Sequence, residues 1–354
     1  MADGPRDARS PGSDAPGRDS TSNDSAASDS AASDSAGSSP PGPHAAIPCS
    51  SLRERFTCDL FDRLWWRYRQ RVPYAASYEQ LIAGSGDTFQ NDHIAFRTLG
   101  WQSPYTGIAS LTRVFDALGY RMAGTYDFPE KHLTAVHMAH PVEGFPLLFI
   151  SELKCWELSV HARRLLADTM NTYREPASME VLSQLTQLDN SSPADRASLL
   201  DRAVSWFEQL PTRVVPERTA LEDLNRESQY AAWVLVHGFA VNHFTALVNS
   251  HQSLALNSLE KTVVALREAG VPMKDSIEGA PGSRLRQTAT AAATVEVLVM
   301  EEDRSVTVPW PYAYFELAER GTVYDAETGA QVPFRGFLGP QATHLFEMTR
   351  KSGG

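Results

Sequence analysis

Cysteine is scarce in this chain of 354 residues, which has only Cys49, Cys58 and Cys155. No two of them show the CxxC spacing of zinc ribbons, and three thiols cannot build a disulfide framework. We therefore expect free thiols, buried or at the surface, that take no part in the chemistry of the protein.

Basic charge and long apolar runs are also lacking. The formal net charge is -11, and no apolar run approaches the roughly 20 residues that a membrane helix needs. The sequence therefore predicts neither nucleic-acid binding nor a membrane span. The N-terminus also lacks the charged and then apolar order of a secretory signal, so we expect a cytoplasmic protein.

The first 47 residues contain few apolar side chains. Ser, Ala, Asp, Gly and Pro dominate, and the stretch DSAASDSAASDSAGSSPPGP is a slipped low-complexity repeat. Such a composition cannot bury enough apolar surface to order the chain. We predict a disordered tail over residues 1–47, which includes His44, and a single domain over residues 48–351.

The folded part shows the same order of elements twice. After one helix predicted over residues 52–69, the pattern over residues 88–155 predicts the order β-α-β-β-β. Residues 156–235 have helical periodicity, with Ser192 and Pro193 at the start of one helix. Residues 236–350 predict β-α-β-β-β again, with a short strand around 273–277 and strands in LRQTATAAATVEVLVM and YAYFELAER. We predict an α+β fold in which two modules form a curved mixed sheet around a metal cleft, separated by a helical insert.

Both modules open with similar text, Asp92-His93-Ile94 in the first and Asn242-His243-Phe244 in the second. In a paired arrangement, His93 and His243 would face each other, and two neutral imidazoles are ready metal ligands. Glu316, between bulky apolar residues on a predicted strand, is a candidate third ligand, because a buried carboxylate needs a partner. Two histidines and one carboxylate leave positions open and suit Fe(II). The alternatives are hydrogen-bonded core histidines and a salt bridge from Glu316 to Arg320.

Arg97 shares a strand face with His93, four residues away, or about 13 Å. A metal at His93 and the guanidinium of Arg97 could engage the two ends of an extended small acid, since Arg donates two parallel hydrogen bonds to a carboxylate. The alternative is an ion pair between Arg97 and an acid on a neighbouring strand.

Glu152, in the stretch ISELK, has the sequence position of a first-module counterpart of Glu316. Glu152 could be a fourth ligand or a remnant of one, and we expect it to contact the ligands without binding the metal itself. His237 lies too far along the chain from His243 to share an ion with it. We expect ordinary core or surface roles for the three histidines of a middle strand, His132, His137 and His140.

Five stretches together resemble one known family: NDHIAFRTL, FPLLFISELK, GFAVNHFTALV, SRLRQTATAA and YFELAERG. The chain resembles the 2-oxoadipate dioxygenase/decarboxylase family over residues 52–351. FELAERG followed by GFLGPQATHLFE is also similar to the C-terminal text of hydroxyphenylpyruvate dioxygenases. Both groups belong to the vicinal oxygen chelate superfamily, which is built from β-α-β-β-β modules.

The resemblance implies Fe(II) as cofactor, held by His93, His243 and Glu316, and a catalytic, substrate-binding Arg97 on the distal carboxylate. Gln287 resembles a substrate-contacting residue of the distant relatives; Ser283 and Arg284 are further candidates, with a plain loop role as the alternative. The implied reaction converts 2-oxoadipate and O2 to 2-hydroxyglutarate and CO2, in lysine degradation.

Two other functions remain open at this point. Glu152 as a fourth ligand would favour a lyase or isomerase of the glyoxalase type, which uses no oxygen. A non-catalytic protein that binds a small acid on the same fold is the other alternative, because fold alone does not fix activity.

Overall fold

A strongly curled, mixed β-sheet organises the protein in the computed structural model, which describes residues 42–101, 106–172, 177–208 and 214–339. Seven of the described strands form this sheet, in the order β2-β3-β4-β1-β5-β9-β6. The described strands are β1 (Asn91–Gly100), β2 (Arg121–Phe128), β3 (Leu133–Ala139), β4 (Leu147–Lys154), β5 (Val241–Leu247), β6 (Leu285–Ala289), β7 (Thr294–Glu301), β8 (Arg304–Pro311), β9 (Glu316–Arg320), β10 (Thr322–Asp325) and β11 (Ala330–Pro333).

Helices pack around the sheet and fill the segment between the two modules. They are α1 (Leu52–Arg71), α2 (Pro73–Gly84), α3 (Ile108–Ala117), α4 (Val160–Asn171), α5 (Met179–Thr186), α6 (Pro193–Glu208), α7 (Arg218–Glu227), α8 (Gln229–His237) and α9 (Leu259–Glu268). The side chain of Ser192 caps the N-terminus of α6, as predicted, because it accepts a hydrogen bond from the backbone N–H of Asp195. None of the described helices combines the length and the apolar composition that a bilayer crossing requires.

The two predicted modules are present and pair through their first strands. In the first module β1 pairs parallel with β4, β4 pairs antiparallel with β3, and β3 pairs antiparallel with β2. In the second module β5 pairs parallel with β9, and β9 pairs antiparallel with β6. β1 and β5 run antiparallel, with Ile94 opposite Phe244. The predicted α+β fold, in which two modules form one curved mixed sheet, is therefore confirmed.

The second module departs from the prediction at its outer strands. The stretch predicted as a strand over LRQTATAAATVEVLVM divides into β6 and β7, and β7 pairs with β8 in a separate hairpin. The predicted strand around 273–277 is reduced to isolated bridges, from Met273 to Thr290 and from Glu278 to Gln287. β9 begins only at Glu316, so YAYF precedes the strand.

The N-terminal helical region contains two helices where one was predicted. Pro73 ends the first pattern but also occupies the first turn of α2, a position that lacks a helical N–H partner in any case. Trp65 and Tyr68 on α1 pack against the Phe244 ring, with centroids 5.1 and 5.0 Å apart. These aromatic contacts bury the face of β5 that points away from its histidine.

The packed structure begins before residue 48. His44 is buried, and its Nδ1 lies 2.7 Å from Oδ1 of Asp62 on α1. The remainder of the predicted tail, residues 1–41, lies outside the described residues, as does the C-terminal stretch from residue 340. All three cysteines are free, as predicted, and the Sγ atoms of Cys49 and Cys58 are 3.5 Å apart.

Candidate metal centre

Strand pairing brings the three predicted ligands together on one face of the sheet. His93 on β1 is opposite Thr245 on β5, and Thr245 is opposite Glu316, the first residue of β9. His243 lies two residues before Thr245, so its side chain is on the same face of β5. One ligand atom from each of His93, His243 and Glu316 lies within 4.8 Å of the other two.

The distances and the burial of these side chains suit a metal ion. Nε2 of His93 is 3.4 Å from Oε1 of Glu316, and Nε2 of His243 is 3.7 Å from Oε2. Glu316 is fully buried, which raises its pKa, and neither carboxylate oxygen has a hydrogen-bond partner among the described residues. A carboxylate buried in this way is costly unless a cation binds it, so the donor set fits a metal.

Each histidine is oriented by the residue that precedes it. Nδ1 of His93 donates to Oδ1 of Asp92 at 2.7 Å, and Nδ1 of His243 is 3.1 Å from Oδ1 of Asn242. A hydrogen bond at Nδ1 fixes the ring and leaves Nε2 directed at the centre, as metal-ligating histidines require. The similar text at the start of the two modules therefore supplies both the ligands and their supports.

Asp92 makes the two histidines electrostatically different. Arg320 donates to its carboxylate through Nε at 2.8 Å and Nη2 at 2.6 Å. Burial opposes the charged form of His93, but Asp92 and Glu316 outweigh burial and raise its pKa. At His243, burial and the neighbouring His93 lower the pKa well below its usual value. His243 is therefore neutral near pH 7, the form that binds a metal.

A cavity opens beside the centre, with ≈ 460 Å³ of empty space when its mouth open to solvent is included. Polar groups line it at both ends, the histidines at one end and Arg97 further along β1. Its other lining residues are Ala95, Phe96, Phe149, Ser151, Asn242, Leu285, Gln287, Tyr314, Phe337 and Leu338. The cavity is thus a largely apolar chamber with a few convergent polar groups, typical of a small-molecule site.

Arg97 is buried in an aromatic cage that the helical insert supplies. Its guanidinium carbon lies 5.1 Å from the ring centroids of both Tyr230 and Trp233 on α8. Burial lowers the pKa of Arg97 from its usual value. The residue opposite Arg97 on β4 is Ser151, not an acid. The insert therefore packs two aromatic rings against the buried cation of Arg97.

The other predicted substrate contacts separate into two groups. Gln287 on β6 lines the cavity, and its buried Oε1 has no hydrogen-bond partner among the described residues. Ser283 does not line the cavity, and its hydroxyl donates to the backbone oxygen of Leu285 at 2.9 Å. Arg284 lies over the ring of Phe334 at 5.1 Å. The structure brings only Gln287 of these three to the cavity wall.

Glu152 is not the counterpart of Glu316, and the sequence-based expectation was wrong. Phe149 is opposite Ala95 as Glu316 is opposite Thr245, so Phe149 holds the equivalent position. Oε2 of Glu152 instead accepts the backbone N–H of Ile108, the first residue of α3, at 2.7 Å. The sequences around Glu152 and Glu316 are similar, but strand register, and not local sequence similarity, decides which residues are equivalent.

A close approach of the backbone explains the glycine before α3. Gly107 has a φ of +67°, which L residues rarely adopt, and an added Cβ would lie 1.9 Å from Oε2 of Glu152. Glu152 is therefore part of a helix N-terminus, where a carboxylate is favourable, and it does not support the metal ligands.

Comparison with known proteins agrees with this geometry. The family described as 2-oxoadipate dioxygenase/decarboxylase matches residues 62–331. The chain belongs to this family. A chloroplastic 2-oxoadipate dioxygenase/decarboxylase from Arabidopsis thaliana is 29% identical over 282 residues, which cover 75% of this chain and 68% of that protein.

Two solved structures are similar to this member of the 2-oxoadipate dioxygenase/decarboxylase family. Hydroxyglutarate synthase from Oryza sativa, in complex with 2-oxoadipate, has a TM-score of 0.67 and 26% identity, covering 89% of this chain and 98% of that one. A protein assigned to the glyoxalase superfamily from Ralstonia eutropha JMP134 has a TM-score of 0.69 and 28% identity, covering 78% and 87%.

Sequence reasoning missed two aromatic residues at the site of this family member. Tyr314 stacks on His243, with ring centroids 4.8 Å apart, and Phe337 packs edge-on against His93 at 4.9 Å. Tyr314 is two residues before Glu316, so strand alternation could have indicated a shared face. No local pattern in the sequence indicates a role for Phe337. Its backbone N–H donates to the hydroxyl of Tyr126, a residue far away in the chain that only the tertiary structure brings close.

The three histidines predicted to have ordinary roles, His132, His137 and His140, lie outside the metal cluster, and only His137 lies on β3. Nδ1 of His137 lies 2.9 Å from the hydroxyl of Tyr126, and His140 stacks on Phe145. His132 is exposed and lies 3.0 Å from Glu157. His237 is on α8 rather than on a strand, and its Nε2 bonds to the backbone oxygen of Pro311.

Proposed function

We propose that this protein is an Fe(II)-dependent dioxygenase that converts 2-oxoadipate and O2 to 2-hydroxyglutarate and CO2. The observation that carries the proposal is the buried cluster of His93, His243 and Glu316 at one end of a cavity that holds Arg97 at the other. Membership of the 2-oxoadipate dioxygenase/decarboxylase family and the similarity to an enzyme complexed with 2-oxoadipate support it.

His93, His243 and Glu316 would hold the iron. Two imidazoles and one carboxylate are the ligand set of Fe(II) oxygenases, and such iron, when bound, supplies the activation of O2 that protein side chains cannot provide. Nδ1 of each histidine is already occupied by its supporting residue, so the Nε2 lone pairs are the groups offered to the ion. Glu316 adds a negative charge, and neither of its buried oxygens has a hydrogen-bond partner among the described residues.

Arg97 would bind the distal carboxylate of the substrate. It lies four residues from His93 on β1, or about 13 Å along the strand, which leaves room for a six-carbon chain between the metal and the guanidinium. The aromatic rings of Tyr230 and Trp233 hold this cation in a dry environment, where its attraction for a carboxylate is stronger than in water. The pairing selects a dicarboxylic acid over a monocarboxylic one.

Other cavity residues would orient the chain and exclude water. Gln287 offers a buried side-chain oxygen and its amide group to polar atoms of the substrate. Phe337 covers the ring of His93, and Phe149 lies 4.8 Å from Phe337 between ring centroids. An apolar cover of this kind keeps bulk water from the reacting atoms.

The glyoxalase-type alternative loses its support. Glu152 as a fourth ligand would have favoured it, and Glu152 instead accepts the N–H of Ile108 at the start of α3. A place in lysine breakdown follows from the proposed substrate and stays a prediction. The cytoplasmic location also stays a prediction, since the Arabidopsis relative is chloroplastic.

The test is an assay of the whole chain, reconstituted with Fe(II) under anaerobic conditions and then exposed to air and 2-oxoadipate. We expect O2 consumption and CO2 release in equal amounts, with 2-hydroxyglutarate as the other product. The E316Q variant, which keeps the size of the side chain, provides the control and should show neither. Binding of 2-oxoadipate without O2 consumption by the iron-loaded protein would contradict the proposal.

A further inference from the structure

The two modules are related by a twofold axis that passes between β1 and β5. Ile94 is opposite Phe244, and the pairs on either side of it exchange His93 with His243 and Ala95 with Thr245. The metal ligands of the two first strands are thus symmetric, and the supporting residues that precede them are symmetric as well.

The symmetry breaks at the third ligand. On β9 the residue opposite Thr245 is Glu316, and on β4 the residue opposite Ala95 is Phe149. A carboxylate at position 149 would therefore approach the centre from the other side, as Glu316 does from its own. Phe149 lines the cavity and is buried, with Phe337 packed against its ring.

We propose that Phe149 sets the reaction class by keeping the metal at three protein ligands, in the position where the fold would otherwise supply a fourth. This inference rests on the proposed function. Its physical basis is coordination number: three protein ligands leave three sites of an octahedral ion, enough for a substrate that binds through two oxygens and for O2. A fourth protein ligand leaves two, so substrate and O2 could no longer bind together.

The chemistry of the side chain explains why a phenyl ring performs this role. A phenyl ring cannot ligate a metal. Its volume also fills space that water or another donor group could otherwise occupy beside the metal. The rings of Phe337 and Tyr126, with centroids 4.8 and 5.7 Å away, fix it against the cavity wall. Phe149 is accordingly a specificity-determining residue and not a catalytic one.

The experiment measures Co²⁺ affinity with a competing chelator, in the wild-type chain and in the variants F149E and F149L. We expect the Kd of F149E for Co²⁺ to be lower than that of F149L by a factor of about ten or more. Each factor of ten corresponds to about 1.4 kcal/mol of binding free energy. F149L is the matched control, because it removes the ring without adding a donor. F149Q, which carries a neutral donor, replaces F149E if the buried carboxylate prevents folding.

A second readout reports the open positions. Adding 2-oxoadipate should change the visible spectrum of the Co²⁺ in both proteins, because two positions are open in each. Azide, added afterwards, needs one further open position, so it should change the spectrum of the wild-type protein and leave that of the F149E protein unchanged. Equal Co²⁺ affinity in F149L and in the folded polar variant overturns the role of Phe149. Wild-type protein that binds Co²⁺ but, loaded with Fe(II), consumes no O2 with 2-oxoadipate contradicts the proposed function alone, because the affinity comparison needs no turnover.

Discussion

Glu152 and Glu319 occupy equivalent positions in the two modules and do the same thing. Each lies three residues after the equivalent pair Phe149 and Glu316. Oε2 of Glu152 accepts the N–H of Ile108 at 2.7 Å, and Oε2 of Glu319 accepts the N–H of Leu259 at 3.2 Å. Each glutamate accepts a hydrogen bond from the first residue of the helix in its own module. The feature that the two modules share at this position is therefore a contact with a helix N-terminus and not a metal ligand.

The substitution E152A should lower stability without weakening metal binding. It removes an acceptor and a negative charge at the N-terminus of α3, which costs about 1–2 kcal/mol. Urea denaturation of the metal-free protein measures the loss, and Co²⁺ titration of the folded variant provides the control. A folded E152A protein with a tenfold weaker affinity for Co²⁺ would show that Glu152 serves the metal centre after all.

Replacing Glu316 with Gln should remove the response of the protein to metal. Saturating Fe(II) or Co²⁺ stabilises a site by about 2.7 kcal/mol at a concentration one hundred times Kd, so the wild-type Tm should rise by about 5 °C. The metal-free E316Q protein should be no less stable than the wild type, since the change removes a buried acid whose pKa burial has raised.

The matched control for this change is E278Q. Glu278 is another largely buried glutamate, but its Oε1 pairs with Lys274 at 3.2 Å and it is not part of the metal cluster. Differential scanning calorimetry with and without metal should show a normal rise in Tm for E278Q and none for E316Q. A full metal-induced rise in E316Q would rule out Glu316 as a ligand.

Arg97→Ala should abolish the preference for a dicarboxylic substrate. Losing a buried guanidinium that binds a carboxylate costs about 2–4 kcal/mol, so KM for 2-oxoadipate should rise on the order of 30- to 1000-fold. The comparison substrate is 2-oxohexanoate, which has the same chain but no distal carboxylate, and its kinetics should change much less. Metal content should match the wild type. Equal losses with both substrates would place Arg97 outside the distal subsite.

His237 should make the protein less stable in acid. Burial lowers its pKa to about 3, so between pH 6.5 and pH 3 the unfolded chain binds a proton that the folded protein does not. Folding stability therefore falls as the pH drops, by about 2 kcal/mol from pH 7 to pH 5 for this one group. In the H237Q variant the amide can still donate to Pro311 but does not titrate.

Chemical denaturation at both pH values, in wild type and H237Q, isolates this contribution, because the other histidines are common to both proteins. The variant should be less sensitive to pH by about the same 2 kcal/mol. An identical pH dependence in the two proteins would mean that the pKa of His237 is the same in the folded and unfolded states.

Several features of the site could be predicted because their signal is local. The alternation of side chains placed His93 and Arg97 on one face, and the similar text before His243 indicated a second copy of the same opening. The pattern of NDHIAFRTL was enough to locate β1, which the structure extends by one residue, to Gly100. Burial of Glu316 between apolar neighbours indicated that it needed a cationic partner.

Other features could not be predicted because they depend on register between distant strands. The short texts around Glu152 and Glu316 look alike, yet a difference of three residues in register makes Phe149 the true counterpart. The alternating pattern of β7 indicated a strand but could not show that it pairs with β8 outside the main sheet. The rings around Arg97 come from α8, in a segment whose sequence indicates only helix.

Helical and strand periodicity along the chain therefore determined the elements of the first module, the helical character of the insert and the presence of a second module, since each follows from contacts between near neighbours. It did not determine the outer strands of the second module. The tertiary structure decided how the strands pair, and with that which side chains meet. Only strand register, set by packing between residues far apart in the chain, could bring His93, His243 and Glu316 to one point and place a phenyl ring where a second carboxylate would lie.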